Sequence, residues 1–293
     1  MIPVEADHGL LKWLLAHPVD LVFNIAEGLP SANRESHVPA LLTALQIPYT
    51  GSNSFTLALA LDKAKTKSVL LSESIPTPRF QLFRTGRELL REELRFPLIV
   101  KPNREGSAKG ITRDSVVHNE PALRRQVQQV LVQYRQEVLV EEFIEGTELT
   151  AGVLGDTPPQ MLAVLEIDFA NCRASGEHFY SWRMKEFQGD VTQGLVPAFH
   201  CPARLADDQA RLIQQLALRA HQALGCVGFS RTDFRLSRDG IPYVLEVNPL
   251  PGLDPLESSF PKMAQATGWS YAATLEQIVT SGVELHRLAL MVG

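Results

Sequence analysis

Between Gly228 and Gly252 the chain reads GFSRTDFRLSRDGIPYVLEVNPLPG, and this stretch limits the available folds more than any other. Phe229 to Leu236 alternates polar with apolar residues, Arg238-Asp239-Gly240 supplies turn chemistry, and Ile241 to Asn248 alternates again, the pattern of a β-hairpin. A loop with an even number of residues, two at Asp239-Gly240 or four from Ser237, sets Arg231, Asp233, Glu246 and Asn248 on one face. Phe234, Leu236, Tyr243, Leu245 and Val247 then share the other face and form core. Two carboxylates, a carboxamide and a guanidinium are costly to gather unless something positive binds there. The plain alternative is a hairpin whose charged face is merely solvated. Against it, Asn248-Pro249-Leu250-Pro251-Gly252 ends the second strand at the carboxamide, in a stiff loop able to turn backbone N–H groups toward a ligand. Oxygen donors without histidine or cysteine suit magnesium shared with phosphate better than zinc.

The chain has 293 residues, 45% of them hydrophobic, enough for two or three small domains with their own cores. Its 28 basic against 33 acidic residues leave a net charge of −5, which offers no electrostatic footprint for nucleic acid. Cys172, Cys201 and Cys226 are scattered without a CxxC pair; neither a disulfide framework nor a zinc site is expected, and the compartment reads as reducing. No apolar run approaches a membrane span. The opening MIPVEADHGLLKWLLAHPVD carries acids early and lacks a basic region before an apolar one, unlike a signal peptide. A cytoplasmic setting is expected.

In chain order, Gly9–His17 is helical by pattern, Val19–Asn24 a buried strand, Glu27 to Glu35 a polar loop, 36–46 a helix and Ile47–Gly51 a second strand. That is half of a doubly wound unit, with ligands expected at the strand ends near Asn24 to Gly28. One helix from near Ser54 carries Lys63, Lys65 and Lys67, and the last two are expected on the solvated surface. Pro76-Thr77-Pro78 opens a second unit. There Phe96–Pro102 is a buried strand with Lys101 at its exit, followed by NREGSAKG (103–110), a loop suited to phosphate although not a Walker A motif. Asn119 and Pro121 cap an amphipathic helix with Leu123, Val127, Val130 and Leu131 on one face. Residues 138–142 form a strand and another starts at Glu148; Glu141 and Glu142 read most plainly as edge-strand charges. Ser175–Pro197 lacks periodicity and is long for a connection, the mark of a lid. Helix 206–224 turns Leu212, Leu216 and Leu218 to the core and ends at Gly225.

RTDF, LEVNPLPG and SSFP, with FNIAEG, IPYTGS, LDKAKTK and VLVEEFIEGTEL before them, resemble the D-alanine:D-alanine ligase family of the ATP-grasp superfamily, with gaps, along nearly the whole chain. The resemblance implies an α/β (α+β) ATP-grasp fold in three parts: a partial doubly wound, Rossmann-like domain over 1–53, a central subdomain over 54–141, and a C-terminal subdomain over 142–293 with the metal and acceptor site. It implies ATP as cofactor with Mg2+ or Mn2+. Asp233, Glu246 and Asn248 would hold the metal, while Arg231 and the backbone N–H of Gly252 would stabilise an oxyanion. Lys63, Lys101, Ser107 and Lys185 would meet the phosphates, Glu141 and the Phe143-Ile144 backbone the adenine, Glu148 the ribose, and Ser258 the acceptor carboxylate. The implied reaction joins two amino acids, or an amino acid and a related amine, through an acyl phosphate shielded by the lid. Amino-acid or dipeptide substrates and a homodimer go with it.

The sequence departs from the family at the amino-acid end. The family opens with a further strand and a glycine-rich loop that are lacking here, implying a shortened N-terminus through a misplaced start, a truncation or a differently built pocket. Glu186 stands where the family has an aromatic residue after the lid lysine, and Glu27 where it often has histidine. Both would repel a carboxylate and welcome a cation, so a different substrate pair is expected. The rival is a non-catalytic ATP-binding protein of the same fold, serving as a regulatory or assembly partner.

Overall fold

The computed structural model describes residues 1–29 and 31–292, without the side chains of residues 173, 174 and 287–292. Pro30, inside the polar loop read from the sequence, lies outside them.

The N-terminal part packs α1 (Leu10–Ala16) and α2 (His37–Ala44) around Leu14, Val38, Leu42 and Tyr49. The two strands expected here meet only at one parallel bridge, Val22 with Tyr49. The ladder stops because its donors are taken elsewhere. Asn24 N–H, the next donor toward the second strand, bonds the Thr50 hydroxyl at 3.0 Å, and Pro48 has no N–H to give.

The single helix expected from Ser54 is two. α3 (Ser54–Leu61) and α4 (Lys63–Ser72) break at Asp62, whose extended backbone and carboxylate cap α4 by accepting Lys65 N–H at 3.1 Å. Asn103 fills the break, its carbonyl and side chain accepting the N–H groups of Lys63 and Ala64. Lys65 is exposed as expected, but Lys67 is fully buried, four residues and so one helical turn below Lys63 on the same face.

β1 (Phe80–Phe83), β2 (Leu98–Pro102), β3 (Val116–Val117) and β4 (Val138–Glu142) form an antiparallel sheet in the order β1-β4-β2-β3. β4 is an inner strand, so Glu141 is no edge charge. α5 (Glu120–Tyr134), capped by Asn119, lays Leu123, Val127 and Val130 into this sheet's core. The second sheet contains β5 (Gly146–Leu154), β6 (Gln160–Met161), β7 (Leu165–Asp168), β8 (Ala198–His200), β9 (Phe229–Ser237) and β10 (Pro242–Asn248), in the order β10-β9-β5-β7-β8 with β6 beside β5. On one of its faces α7 (Asp207–Ala223) buries Ile213, Leu216, Ala217 and Ala220, together with Leu70 and Ile75 from the α4 region. Leu212, assigned to the core from sequence, is 43% exposed, because the i, i+3, i+4, i+7 stripe begins at Ile213. α8 (Ser259–Ala266) and α9 (Tyr271–Val292) cover part of the sheet around Phe229, Phe260, Met263 and Ile278. The remainder of that face is open.

Between β7 and β8, the segment expected to be a lid holds a short helix, α6 (Trp182–Glu186), capped by Ser181, and a small core of Cys172, Met184 and Leu195. Its Trp182 N–H bonds the carbonyl of Ile111 at 2.9 Å, tying it to the first sheet's loops. Among the described residues no helix is long and apolar enough to cross a membrane, and the three cysteines are free.

Candidate active site

A cleft of about 540 Å³ lies between the sheets, and every residue singled out from the sequence lines it except Glu141, Phe143 and Ile144. Its floor is the hairpin β9–β10. Asp233 pairs with Glu246 and Arg231 with Asn248 across the ladder, so all four side chains share the cleft face. The route differs from the expected one. The turn has three residues, with Ser237 N–H bonding the carbonyl of Ile241 at 2.9 Å and Gly240 in the left-handed region at φ +78°. An odd turn alone would send Glu246 into the core. A bulge between Val244 and Glu246 absorbs Leu245 and restores the phase. In consequence Phe234, Leu236, Val244 and Val247 are core, whereas Tyr243 is only half-buried and Leu245 lines the cleft.

Arg231 grips Asp233 with two bonds of 2.8 Å, Nε to Oδ1 and Nη2 to Oδ2. Asp233 Oδ1 also accepts the Thr150 hydroxyl of β5 at 2.7 Å. Asn248 Nδ2 lies 3.2 Å from Asp233 Oδ2 and 3.5 Å from Glu246 Oε1, and Lys63 Nζ is 3.1 Å from Glu246 Oε2. Burial raises the Glu246 carboxyl, but Lys63, Lys101 and Arg231 outweigh it and hold the group at about 2. Two carboxylates and a carboxamide, whose ends exchange by a half-turn, form a compact set of hard donors. They fit a magnesium-type cation.

The roof is the loop after β2. Ser107 and Ala108 both stand in the left-handed region, at φ 56° and 55°, a conformation that costs a side-chain-bearing residue about 1–2 kcal/mol. Lys63 Nζ donates to the carbonyl of Glu105, and Arg34 reaches from the N-terminal part to the carbonyl of Arg104 at 3.0 Å. Lys185, Glu186, Tyr180 and Gln188 descend from the lid. Burial and then Arg231 lower the Lys185 ammonium, while Glu246 and Asp233 oppose them. Tyr180 is pushed up to about 12 by burial and then by Glu148.

At one end, Glu148 is paired with Arg235 at 3.0 Å, and burial nevertheless raises its carboxyl. Arg235 also bonds the carbonyl of Ile144 at 3.0 Å and lies over the Phe143 ring. Phe143 N–H is taken by the carbonyl of Pro97 at 2.9 Å. Glu141, 1% exposed, is held behind the cleft wall between Lys101 at 2.6 Å and Lys67 at 2.8 Å. At the other end Gly252 leaves room for Ser258, whose Oγ would stand 2.6 Å from a Cβ at that position. Glu257, beside Ser258, lines the cleft as an exposed carboxylate, as do Glu27 and Glu186, while Glu35 lines it half-buried and within the electrostatic reach of Lys63 and Glu246. Glu35 is raised first by burial, with Arg34 opposing.

Arg34, Glu35, Lys67, Tyr180 and Arg235 are site residues that the sequence reading does not single out. Lys67 has a usable signal in its i, i+4 spacing from Lys63. Arg235 has one in its period-2 spacing from Arg231 and Asp233. The others are brought in by loops without periodicity.

Residues 71–280 match the family described as D-ala D-ala ligase C-terminus. The protein y4sG of Sinorhizobium fredii, described as uncharacterized, is 33% identical over 94% of this chain and 80% of its own. The D-alanine–D-alanine ligase of Carboxydothermus hydrogenoformans is 33% identical over 97% of this chain and 88% of its own. The crystal structure of D-alanine–D-alanine ligase from Bacillus anthracis complexed with ATP superposes with a TM-score of 0.78 at 25% identity, over 98% of this chain and 87% of that one. With that fold, those relatives and that match, the chain belongs to the D-alanine:D-alanine ligase family of ATP-grasp proteins.

Proposed function

We propose that this chain is an ATP-dependent ligase that joins two amino acids, or an amino acid and a related amine, through an amide bond. The observation that carries it is the cleft floor, where Arg231, Asp233, Glu246 and Asn248 of adjacent strands meet Lys63 under a strained phosphate-type loop. In the reaction, a carboxylate oxygen of the first substrate attacks the γ-phosphorus of ATP and ADP leaves. The amine of the second attacks the acyl phosphate carbon, phosphate leaves, and the nitrogen loses its extra proton. Lys63, Lys101, Lys185 and the N–H groups of the Ser107 loop neutralise and orient the phosphates. Arg231 and the Gly252 N–H stabilise the charge of the tetrahedral intermediate. Asp233, Glu246 and Asn248 would hold Mg2+ or Mn2+, which supplies charge neutralisation on the phosphate oxygens. Of the groups expected at adenine, the Ile144 N–H is the one assigned to it, because Glu141 is held by Lys67 and Lys101, the Phe143 N–H by Pro97 and the Ile144 carbonyl by Arg235; Glu148 is assigned to ribose. No side-chain nucleophile is required.

Ser258 is assigned to the acceptor carboxylate, and Glu27 and Glu186 to an ammonium. Their negative charge favours a substrate pair other than two alanines. The three parts 1–53, 54–141 and 142–293, a cytoplasmic setting and a homodimer complete the proposal. The non-catalytic alternative is not favoured, since a retired site has no physical need to keep so costly a charge cluster. The test is ADP release in the presence of Mg2+ against D- and L-amino acids and short peptides, offered singly and in pairs. One pair is expected to stimulate turnover and give a product joined by an amide. Binding of ATP without turnover on any pair would overturn the assignment.

A further inference from the structure

Behind the cleft the molecule buries one more ammonium than the nucleotide site uses. Lys101 lines the cleft and lies 2.6 Å from Glu141 Oε1; Lys67 does not line it and lies 2.8 Å from Glu141 Oε2. Lys67 is wholly buried. Its Nζ also donates to the Thr77 hydroxyl at 2.7 Å and sits 3.5 Å from the carbonyl of Val244, which the Thr77 hydroxyl reaches at 2.8 Å. One ammonium from α4 therefore joins β4 of the first sheet to β10 of the second.

A third buried charge is expensive, and a carboxylate with a single buried partner is more expensive still once that partner leaves. If Lys101 alone neutralised Glu141, turning its ammonium toward a phosphate would strand the carboxylate. We propose that Lys67 is the standing counter-charge of Glu141, a positioning residue that frees Lys101 to exchange the carboxylate for a nucleotide phosphate. The local charge balance agrees. Burial pulls Lys67 down to about 8, with Glu141 opposing, so it stays mostly charged at neutral pH. Burial raises Glu141, but Lys101 and Lys67 outweigh it and keep it ionised.

This role rests on ATP occupying the cleft as proposed above, and the test separates the two. Dissociation constants for ATP and adenosine are measured by calorimetry on wild type, Lys67→Met, Lys67→Arg and the double variant Lys67→Met/Glu141→Gln, with thermal melts to check folding. In Lys67→Met the preference for ATP over adenosine falls about tenfold, because Lys101 stays locked on Glu141 and only phosphate binding suffers. Lys67→Arg keeps most of the preference. The double variant, which removes both charges together and folds even if Lys67→Met does not, recovers at least about threefold of it. An unchanged preference in folded Lys67→Met overturns the inference, and so does an equal loss for ATP and adenosine. If Lys67→Met does not fold, a double variant that selects ATP about as well as Lys67→Arg supports the inference, and one whose preference collapses overturns it. A wild type that does not bind ATP overturns the nucleotide assignment itself.

Discussion

The two ends of the cleft are built by opposite means. At the end assigned above to nucleotide and metal, charge is borne on strands and short helices and paired on the spot: Asp233 with Arg231, Glu246 with Lys63, Glu141 with Lys67 and Lys101, Glu148 with Arg235. At or beside the positions assigned above to the amino-acid substrates, Glu27, Glu186 and Glu257 stand on loops or at a helix end, exposed, and no ion pair within 4.0 Å is formed by them among the described residues. Strand-borne groups are pre-organised and cost nothing to orient when a substrate arrives. Loop-borne groups can be replaced without disturbing a core. Under the proposed assignment, chemistry would be carried by the rigid end and selectivity by the adaptable one.

Substitutions can break that contrast. Glu246→Gln or Asp233→Asn should cut ADP release by at least about 100-fold with the melting temperature close to wild type, since their apolar neighbours face the opposite way. Full activity in both would remove the metal assignment. Gly252→Ala should lower kcat/KM for the acceptor about tenfold, because the added methyl meets Ser258 Oγ; an unchanged value would separate Ser258 from acceptor binding. Glu186→Gln, at an exposed position, should raise KM for the amine-bearing substrate about fivefold with kcat nearly constant. A fall in kcat instead would move Glu186 into the chemistry.

Glu35 gives the smallest effect and lies between the two classes. Its folded-state carboxyl is raised by burial, so ionisation penalises the fold at neutral pH, and the penalty disappears as pH falls below the ordinary carboxylate range. Glu35→Gln should therefore raise Tm by about 1–2 °C at pH 7 and leave it unchanged at pH 3. A loss of Tm at pH 7 would show that the charge is stabilising.

Much of the rigid end is legible in the sequence because strands repeat every two residues. The alternation around Arg231 and Asp233 is enough to identify the cleft face, and the apolar run ahead of Lys101 marks a buried strand. Phase slips are not legible. No residue type announces the bulge at Leu245, so by pattern Tyr243 and Leu245 belong to a core that Val244 in fact fills. In α7, Leu216 is core and Leu218 packs against it as read, but the stripe starts at Ile213 and not at Leu212, since two adjacent apolar residues give a simple count no way to choose between them. Lys67 reads as surface because lysine usually is; its burial depends on Glu141, remote in sequence and on another element. In the N-terminal part, Val19–Asn24 and Ile47–Gly51 have strand composition, but the Asn24 N–H serves the Thr50 side chain and Pro48 has no donor for a ladder, a competition that only tertiary contacts decide.

The hairpin's three-residue turn and its bulge at Leu245 behave as a matched pair of frameshifts. The first puts inside and outside out of step, and the second puts them back. Either one alone would turn Glu246 and Asn248 inward and deliver valine to the cleft. A lineage that alters the length of this turn can therefore keep the site only by altering the opposite strand too, so the two loci are expected to change together or not at all.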